Sequence, residues 1–271
     1  MSHTPDLELR WVASLSRRLP RVRTARFVAR RLRKFYLRRP REDVVAEVAG
    51  QRMRLCPADY VEGQLLLAPQ FYEFDEREYV RAQLRPGDVF VDLGAHVGLY
   101  TLLAAHAVGP NGRVVSVEAD VRTHERLVEN VRLNDYANVT TFQCGVSDRA
   151  GVSKLSINAS SNRGASSFLV KMGEEVEVEC LPLSAILEKA GVSRIHGMKL
   201  DIEGFEFRVL NRFLEEAPES LLPGFVVVEQ KDWWVDQAGG NALELLQQHG
   251  YRVALQARDR KKWPNYVLVR D

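Results

Sequence analysis

From Val89 onward the chain repeats one unit: a short apolar run, a polar or acidic residue where the run ends, then a stretch with helical spacing. The first unit is Val89-Phe90-Val91-Asp92-Leu93-Gly94-Ala95-His96-Val97-Gly98-Leu99-Tyr100. Apolar runs that alternate with helices predict an α/β fold with a parallel sheet covered on both faces, because each crossover lays a helix over the sheet. The expected strands are 89–93, 113–118, 139–146, 198–200 and 225–228, with helices at 99–108, 121–133, 183–190, 205–214 and 242–249. A hairpin is expected at 151–158 and 176–181. Two closing strands, 251–256 and 266–269, have no helix between them, so one strand at the end must run antiparallel.

The segment before this core differs in composition. Residues 1–41 hold thirteen basic residues against Asp6 and Glu8, a net +11, which leaves −9 for the rest of a chain whose total is +2. The arginines interleave with Trp11, Leu15, Leu19, Val22, Phe27 and Leu32 at helical spacings, predicting short amphipathic helices broken near Pro20 and stopped at Pro40. This leader reads as a basic helix packed on the domain or on a second subunit of a homodimer, or as a docking segment for an acidic partner, an anionic membrane surface or a glycan. Nucleic acid is not expected, since no base-reading module accompanies the charge. Three parts are expected: the leader 1–41, a hairpin and helical cap 42–84, and a cofactor-binding domain 85–271. Cys56, Cys144 and Cys180 are odd in number and lack a Cys-x-x-Cys pair, which points to reduced thiols in a cytoplasmic setting and away from a structural zinc. No apolar run approaches the roughly 18–20 residues that span a bilayer. Peripheral membrane contact through the leader stays open.

Ligands of open parallel sheets sit at the carboxyl ends of the strands, so polar residues there are the candidates. The first strand ends at Asp92 and a turn containing Gly94, Ala95, His96 and Gly98, with Tyr100 following. A plain packing turn has the same look. The spacing Asp-x-Gly-x-x-x-Gly differs from the Gly-x-Gly-x-x-Gly of dinucleotide sites and suits S-adenosylmethionine, which has no pyrophosphate for a helix N-terminus to hold. The second strand ends at Glu118-Ala119, where a carboxylate is placed to accept from both ribose hydroxyls. The third ends near Val146, Ser147 and Asp148, candidates for an adenine edge. In Met198-Lys199-Leu200-Asp201-Ile202-Glu203-Gly204, the alternate residues Lys199, Asp201 and Glu203 share one side of an extended backbone. A Lys199–carboxylate salt bridge explains part of that pattern. Asp201 beside the reacting centre explains it too.

Asp92-Leu93-Gly94-Ala95-His96-Val97-Gly98, Glu118-Ala119, Asn130 with Asn134, Asn162-Arg163-Gly164-Ala165-Ser166-Ser167, and above all Lys199-Leu200-Asp201-Ile202-Glu203-Gly204-Phe205-Glu206 resemble the FkbM-type methyltransferases. The resemblance spans about Tyr72 to Val269 and excludes the leader. It implies a Rossmann-like class I methyltransferase sheet of seven strands, mostly parallel with the last strand antiparallel. It also implies an S-adenosylmethionine-dependent O-methyltransferase acting on hydroxyls of sugars, glycans, glycolipids or natural products, and releasing S-adenosylhomocysteine. His96 stands where such proteins often carry Asn.

Methyl transfer to a hydroxyl needs alignment and a proton acceptor. Asp201 and Glu203 are the expected catalytic carboxylates, with Glu229 and His96 behind them; Asp201 also counts among the cofactor contacts. Asn162, Arg163, Ser166, Ser167, Trp233 and Trp234 are expected substrate walls, although adjacent tryptophans also cap core edges. Asp201 and Glu203 alone are too few ligands to define a divalent metal site. Two other readings are a methyltransferase for nucleic acid or a protein side chain, and a binding module that keeps S-adenosylmethionine without turnover.

Overall fold

The computed structural model describes residues 7–36, 42–158, 166–171, 173–230, 235, 239–257 and 264–270. Two helices come first, α1 (Leu7–Arg17) and α2 (Arg23–Tyr36), followed by the hairpin β1 (Val44–Val48) and β2 (Gln51–Leu55), then α3 (Tyr60–Leu67) and α4 (Phe74–Gln83). The main sheet and its helices follow as β3 (Val89–Leu93), α5 (Leu99–Val108), β4 (Arg113–Glu118), α6 (Val121–Leu133) and β5 (Val139–Gln143). The chain continues through β6 (Gly145–Ser147), β7 (Gly151–Ile157), β8 (Glu174–Pro182), α7 (Leu183–Lys189), β9 (Gly197–Leu200) and α8 (Glu206–Glu216). It ends with β10 (Phe225–Glu229), α9 (Ala242–Gln248), β11 (Arg252–Gln256) and β12 (Asn265–Val269).

Seven strands form the main sheet in the order β11-β12-β10-β9-β3-β4-β5. Neighbours from β10 to β5 are parallel, and β12 runs antiparallel to both β10 and β11. This is the expected Rossmann-like class I methyltransferase sheet, with the reversed strand inserted next to the edge. Side-chain alternation divides the strands between two cores. Val91, Leu93, Met198, Leu200, Val226 and Val228 pack under α7, α8 and α9. Phe90, Val114, Val227 and Val267 pack under α4 and α5. At roughly 1.5–3 kcal/mol per fully buried aliphatic side chain, this two-sided burial is what holds the strands parallel. Asp92 and Lys199 therefore fall on the α5 side of the sheet. The sheet edges are short: β5 has five residues, and β11 carries Arg252 and a register shift between Val253 and Leu255.

Two sequence expectations change. The single strand at 139–146 is broken: β5 stops at Gln143, and Gly145–Ser147 joins β7 and β8 in a separate three-stranded sheet. Gly145 permits the exit, because a Cβ there would lie 2.6 Å from Cys180 Sγ and 2.8 Å from Phe168. The second change is α3, which spacing did not reveal. Glu62, Gly63, Leu65, Leu66 and Leu67 are all buried, so no polar stripe marks its period. Asp59 caps it, accepting from Val61 N at 2.8 Å and Glu62 N at 3.0 Å.

The hairpin is docked by two amides one turn apart, Asn130 on α6 and Asn134 at its C-terminal cap. Asn130 Oδ1 accepts from Arg54 N at 2.6 Å, and its Nδ2 donates to Val97 O at 2.9 Å. Asn134 pairs in the same way with Arg52, accepting from its N at 2.9 Å and donating to its O at 2.7 Å. Together they stand in for a missing strand along the edge of β2. Asn130 is fully buried, so Asn130→Ala leaves backbone groups unpaired and is expected to lower stability by about 2–3 kcal/mol. The more exposed Asn134→Ala is expected to cost about 1 kcal/mol. Urea unfolding of both variants and the double variant checks this, with less than additive loss expected because the two amides hold one strand.

Candidate active site

The carboxyl ends of β3, β4, β9 and β10 meet around one point. The turn after β3 is clamped to β4 by Gly94 N and Ala95 N, each donating to Val117 O at 2.9 Å. It touches the turn after β9 more closely still: a Cβ on Gly94 would sit 1.9 Å from the Asp201 carbonyl oxygen. Gly94 also has φ +76°, and Gly98 has φ +96° with Leu127 2.7 Å from where its Cβ would be. Only glycine meets both demands at these two positions. His96, between them, holds a left-handed φ of +50°.

Below that turn lies a buried charged row. Asp92 is 1% exposed; its Oδ2 accepts from Thr101 Oγ1 at 2.6 Å, while Oδ1 has no hydrogen-bond partner among the described residues. Thr101 Oγ1 lies 2.8 Å from Ser116 Oγ. Because Thr101 has one proton and gives it to Asp92, Ser116 is the donor in that second bond. Burial raises the Asp92 carboxyl above its usual range, against the pull of Lys199 and Thr101. Lys199, also buried, places Nζ 3.2 Å from Asp201 Oδ2 and 5.1 Å from the Tyr100 ring centroid. Burial opposes its charge, but Asp201, Asp92 and Glu73 outweigh that and hold the ammonium above its ordinary range. The alternation of Lys199 with Asp201 thus does include the salt bridge. Tyr100 is buried in the same wall, its hydroxyl also pushed up by burial.

The fourth-strand turn is built by its own helix. Glu206, first residue of α8, accepts from Ile202 N and Gly204 N, both at 2.9 Å, which leaves Glu203 at φ +52° on the tip. Ser167 Oγ donates to the Glu203 carbonyl at 2.8 Å and accepts from Leu169 N at 3.1 Å. Ser167, expected as a substrate wall, is 1% exposed and ties its segment to this turn. Ser166 Oγ accepts from Asn158 N at 3.2 Å. Carboxylate oxygens of Asp201, Glu203 and Glu229 lie within 4.8 Å of one another. These are three of the four expected catalytic groups, brought from two strand ends to one place. They also have the spacing of a cation cage, with Lys199 already supplying positive charge to Asp201.

His96 is placed differently. Its ring groups with Asp59 and Glu62 of the α3 segment, again within 4.8 Å, and Nε2 has no hydrogen-bond partner. Burial lowers its basicity, with Asp59 pulling the other way. Glu62 Oε2 accepts from Arg126 Nη2 at 2.6 Å and Cys56 N at 2.7 Å, yet burial holds its carboxyl up at about 7. Sequence reasoning did not find this second cluster; its one local signal is Asp59-x-x-Glu62, the spacing of a capping box.

Glu118 ends β4 with Oε2 accepting from His96 N and Oε1 from Asp120 N, both at 2.9 Å. Burial pushes its carboxyl up to about 7 despite those donors. Ala119 O accepts from Gln143 Nε2 at 3.0 Å. Val146 and Ser147 are buried on β6, with Ser147 Oγ donating to Asp148 Oδ1 at 2.9 Å. Asn162, Arg163, Trp233 and Trp234 lie outside the described residues. The arrangement sets side by side a glycine turn, a buried carboxylate at the end of β4 and a cluster of three carboxylates.

Residues 92–253, more than half the chain, match the family model described as the methyltransferase FkbM domain. The chain is 31% identical over 212 residues to the 31-O-demethyl-FK506 methyltransferase FkbM of Streptomyces tacrolimicus, covering 66% of this chain and 79% of that protein. It is 28% identical over 221 residues to methyltransferase sdnD of Sordaria araneosa, covering 70% and 82%. Among solved structures, a methyltransferase FkbM from Methylobacillus flagellatus KT aligns with TM-score 0.44 at 17% identity, covering 78% of this chain and 55% of that one. On the family-model match over residues 92–253 and the 31% identity to the Streptomyces protein, the chain belongs to the FkbM methyltransferase family.

Proposed function

We propose that the chain methylates a hydroxyl of a sugar, glycan, glycolipid or natural product, with Asp201 and Glu203 nearest the departing proton and Glu229 beside them. The observation behind this reading is the convergence of those three carboxylates at the strand ends next to the glycine turn. The Streptomyces relative is named for an O-demethylated natural product, FK506, which agrees with a hydroxyl acceptor.

Methyltransferases of this family use S-adenosylmethionine, which supplies a methyl group activated on a cationic sulfonium. The residues present fit it. Glu118 has two backbone donors for a carboxylate with about four acceptor positions, leaving capacity for ribose hydroxyls. Asp92 Oδ1, buried and without a hydrogen-bond partner among the described residues, adds a carboxylate oxygen beside the glycine turn, which suits a cation.

A neutral hydroxyl must shed its proton as its oxygen gains carbon. Asp201, Glu203 and Glu229, with carboxylate oxygens within 4.8 Å of one another, put more than one acceptor within reach of that proton. Lys199 fixes the Asp201 carboxylate, and Glu206 with Ser167 fixes the backbone of Glu203. The chain's part is therefore to orient the hydroxyl, exclude water and take one proton.

Asp201→Asn and Glu203→Gln are each expected to lower methyl transfer by about 10²–10³-fold, with S-adenosylhomocysteine affinity held within a few-fold. Turnover with tritiated S-adenosylmethionine and a panel of glycans and demethylated macrolides measures the first, and calorimetry the second. Unchanged turnover in both variants would remove the cluster from the mechanism. Label in the product must survive alkali, as an ether does and a methyl ester does not.

A second expectation concerns pH. With the free Glu118 carboxyl at about 7, ligand hydroxyls that donate to the carboxylate must displace its proton below that pH. Affinity for S-adenosylhomocysteine should fall as pH drops from about 8 to about 6, approaching tenfold per unit. Glu118→Gln should bind more weakly and lose this dependence. A flat profile in the unaltered protein counts against the ribose role.

A further inference from the structure

The leader packs inside out. Helices α1 and α2 turn small residues inward: Ala13 packs with Leu65–Leu67 of α3, Ala25 and Ala29 pack with Ala68 and Phe71 just after it, and Ser16 is buried. Val12, Leu19 and Leu32 are half-buried, but four other large apolar side chains face solvent: Trp11 is 70% exposed, Leu15 61%, Phe27 58% and Val28 44%. Folded proteins seldom expose such a group together. Trp11 and Leu15 are four apart on α1, and Phe27, Val28 and Arg31 fall on one side of α2, so each helix presents a stripe.

The leader's cations are of two kinds. Arg17 donates to Leu66 O at 2.8 Å and Glu47 O at 2.8 Å, Arg33 to Tyr60 O at 2.5 Å, and Arg21 pairs with Asp75 at 2.6 Å. These fasten the helices down. Arg18, Arg30, Arg31 and Lys34 are exposed and form no ion pair among the described residues; Arg31 lies over the Phe27 ring at 4.9 Å. No acidic residue occurs between positions 9 and 41. Among the described residues no helix is long and apolar enough to cross a membrane, and α2 has only 14 residues.

We propose that this face binds an anionic lipid bilayer, lying flat in the headgroup layer with Trp11, Leu15, Phe27 and Val28 inserted and Arg18, Arg30, Arg31 and Lys34 on the phosphates. Aromatic and aliphatic side chains ringed by unpaired cations are what an interfacial helix requires. Each exposed cation contributes roughly fivefold to binding at an anionic surface. The alanine contacts and the Arg17 and Arg33 bonds hold the helices in this orientation before any lipid is met. The bilayer would then lie over α3, whose segment brings Asp59 and Glu62 to His96.

Sedimentation of the full-length protein with phosphatidylcholine vesicles, with and without phosphatidylglycerol, tests the proposal. Binding should require phosphatidylglycerol and weaken as salt rises. Trp11→Ser with Phe27→Ser should weaken it at least tenfold, and Arg30→Gln with Arg31→Gln and Lys34→Gln roughly a hundredfold. All five positions are exposed, so unchanged melting of both variants separates lost binding from lost folding. Absence of sedimentation with phosphatidylglycerol at low salt overturns the proposal, as does binding indifferent to the aromatic pair. A dimer in light scattering that dissociates with the same substitutions assigns the face to a second copy. Retention on RNA without retention on vesicles assigns it to nucleic acid. The assay uses neither cofactor nor acceptor, so its failure is distinct from failure of the methyl-transfer reading.

Discussion

The missing side chain at Gly94 is the constraint on which the site rests. A Cβ there would fall 1.9 Å from the Asp201 carbonyl oxygen, so the turns after β3 and β9 touch as bare backbone. Asp201 N in turn donates to Leu93 O at 3.0 Å. One turn carries Gly94 and Gly98 and the other Asp201 and Glu203, and their separation is fixed by backbone contact rather than by flexible side chains. Lys199 adds the electrostatic half of the same junction. Held by attraction to Asp201 and Asp92, it neutralises part of an acidic row whose charge burial disfavours at Asp92.

The elements before β3 form a bracket on this core rather than an independent unit. The hairpin is held through Asn130 and Asn134, α3 through Glu62 and Arg126, and the leader through Arg17 and Gln70. In each case a polar side chain reaches across to a backbone group or a buried charge. These bonds are directional, so the bracket has one seat. Its inner edge bears on the glycine turn after β3, since Asn130 donates to Val97 O and His96 meets Asp59 and Glu62.

The main sheet was legible because buried parallel strands are continuously apolar and their polar ends stand out. Asp92, Glu118, Asp201 and Glu229 could each be placed at a strand end on that ground. The pattern failed where burial was uniform. Tyr60–Leu67 shows no stripe because it is enclosed by the leader on one side and the hairpin on the other. At 139–146 the apolar run continues through a change of sheet, with Gly145 the only mark of it. His96 illustrates a different limit. Its neighbours Asp59 and Glu62 come from more than thirty positions away, and no local spacing encodes that meeting. Asn130 and Asn134 were visible as part of a resemblance, but their use as a surrogate strand depends on where β2 comes to rest.

The sheet's outer strands have a consequence for how copies of this chain can meet. One edge ends after the five residues of β5, where the chain turns at Gly145 into another sheet. The other edge, β11, is offset between Val253 and Leu255 and begins with Arg252. A short strand at one margin and a kinked, charged one at the other give an incoming strand no long regular ladder to extend. The fold thereby protects itself from growing by strand addition, the route by which exposed sheets pass from monomers to fibres.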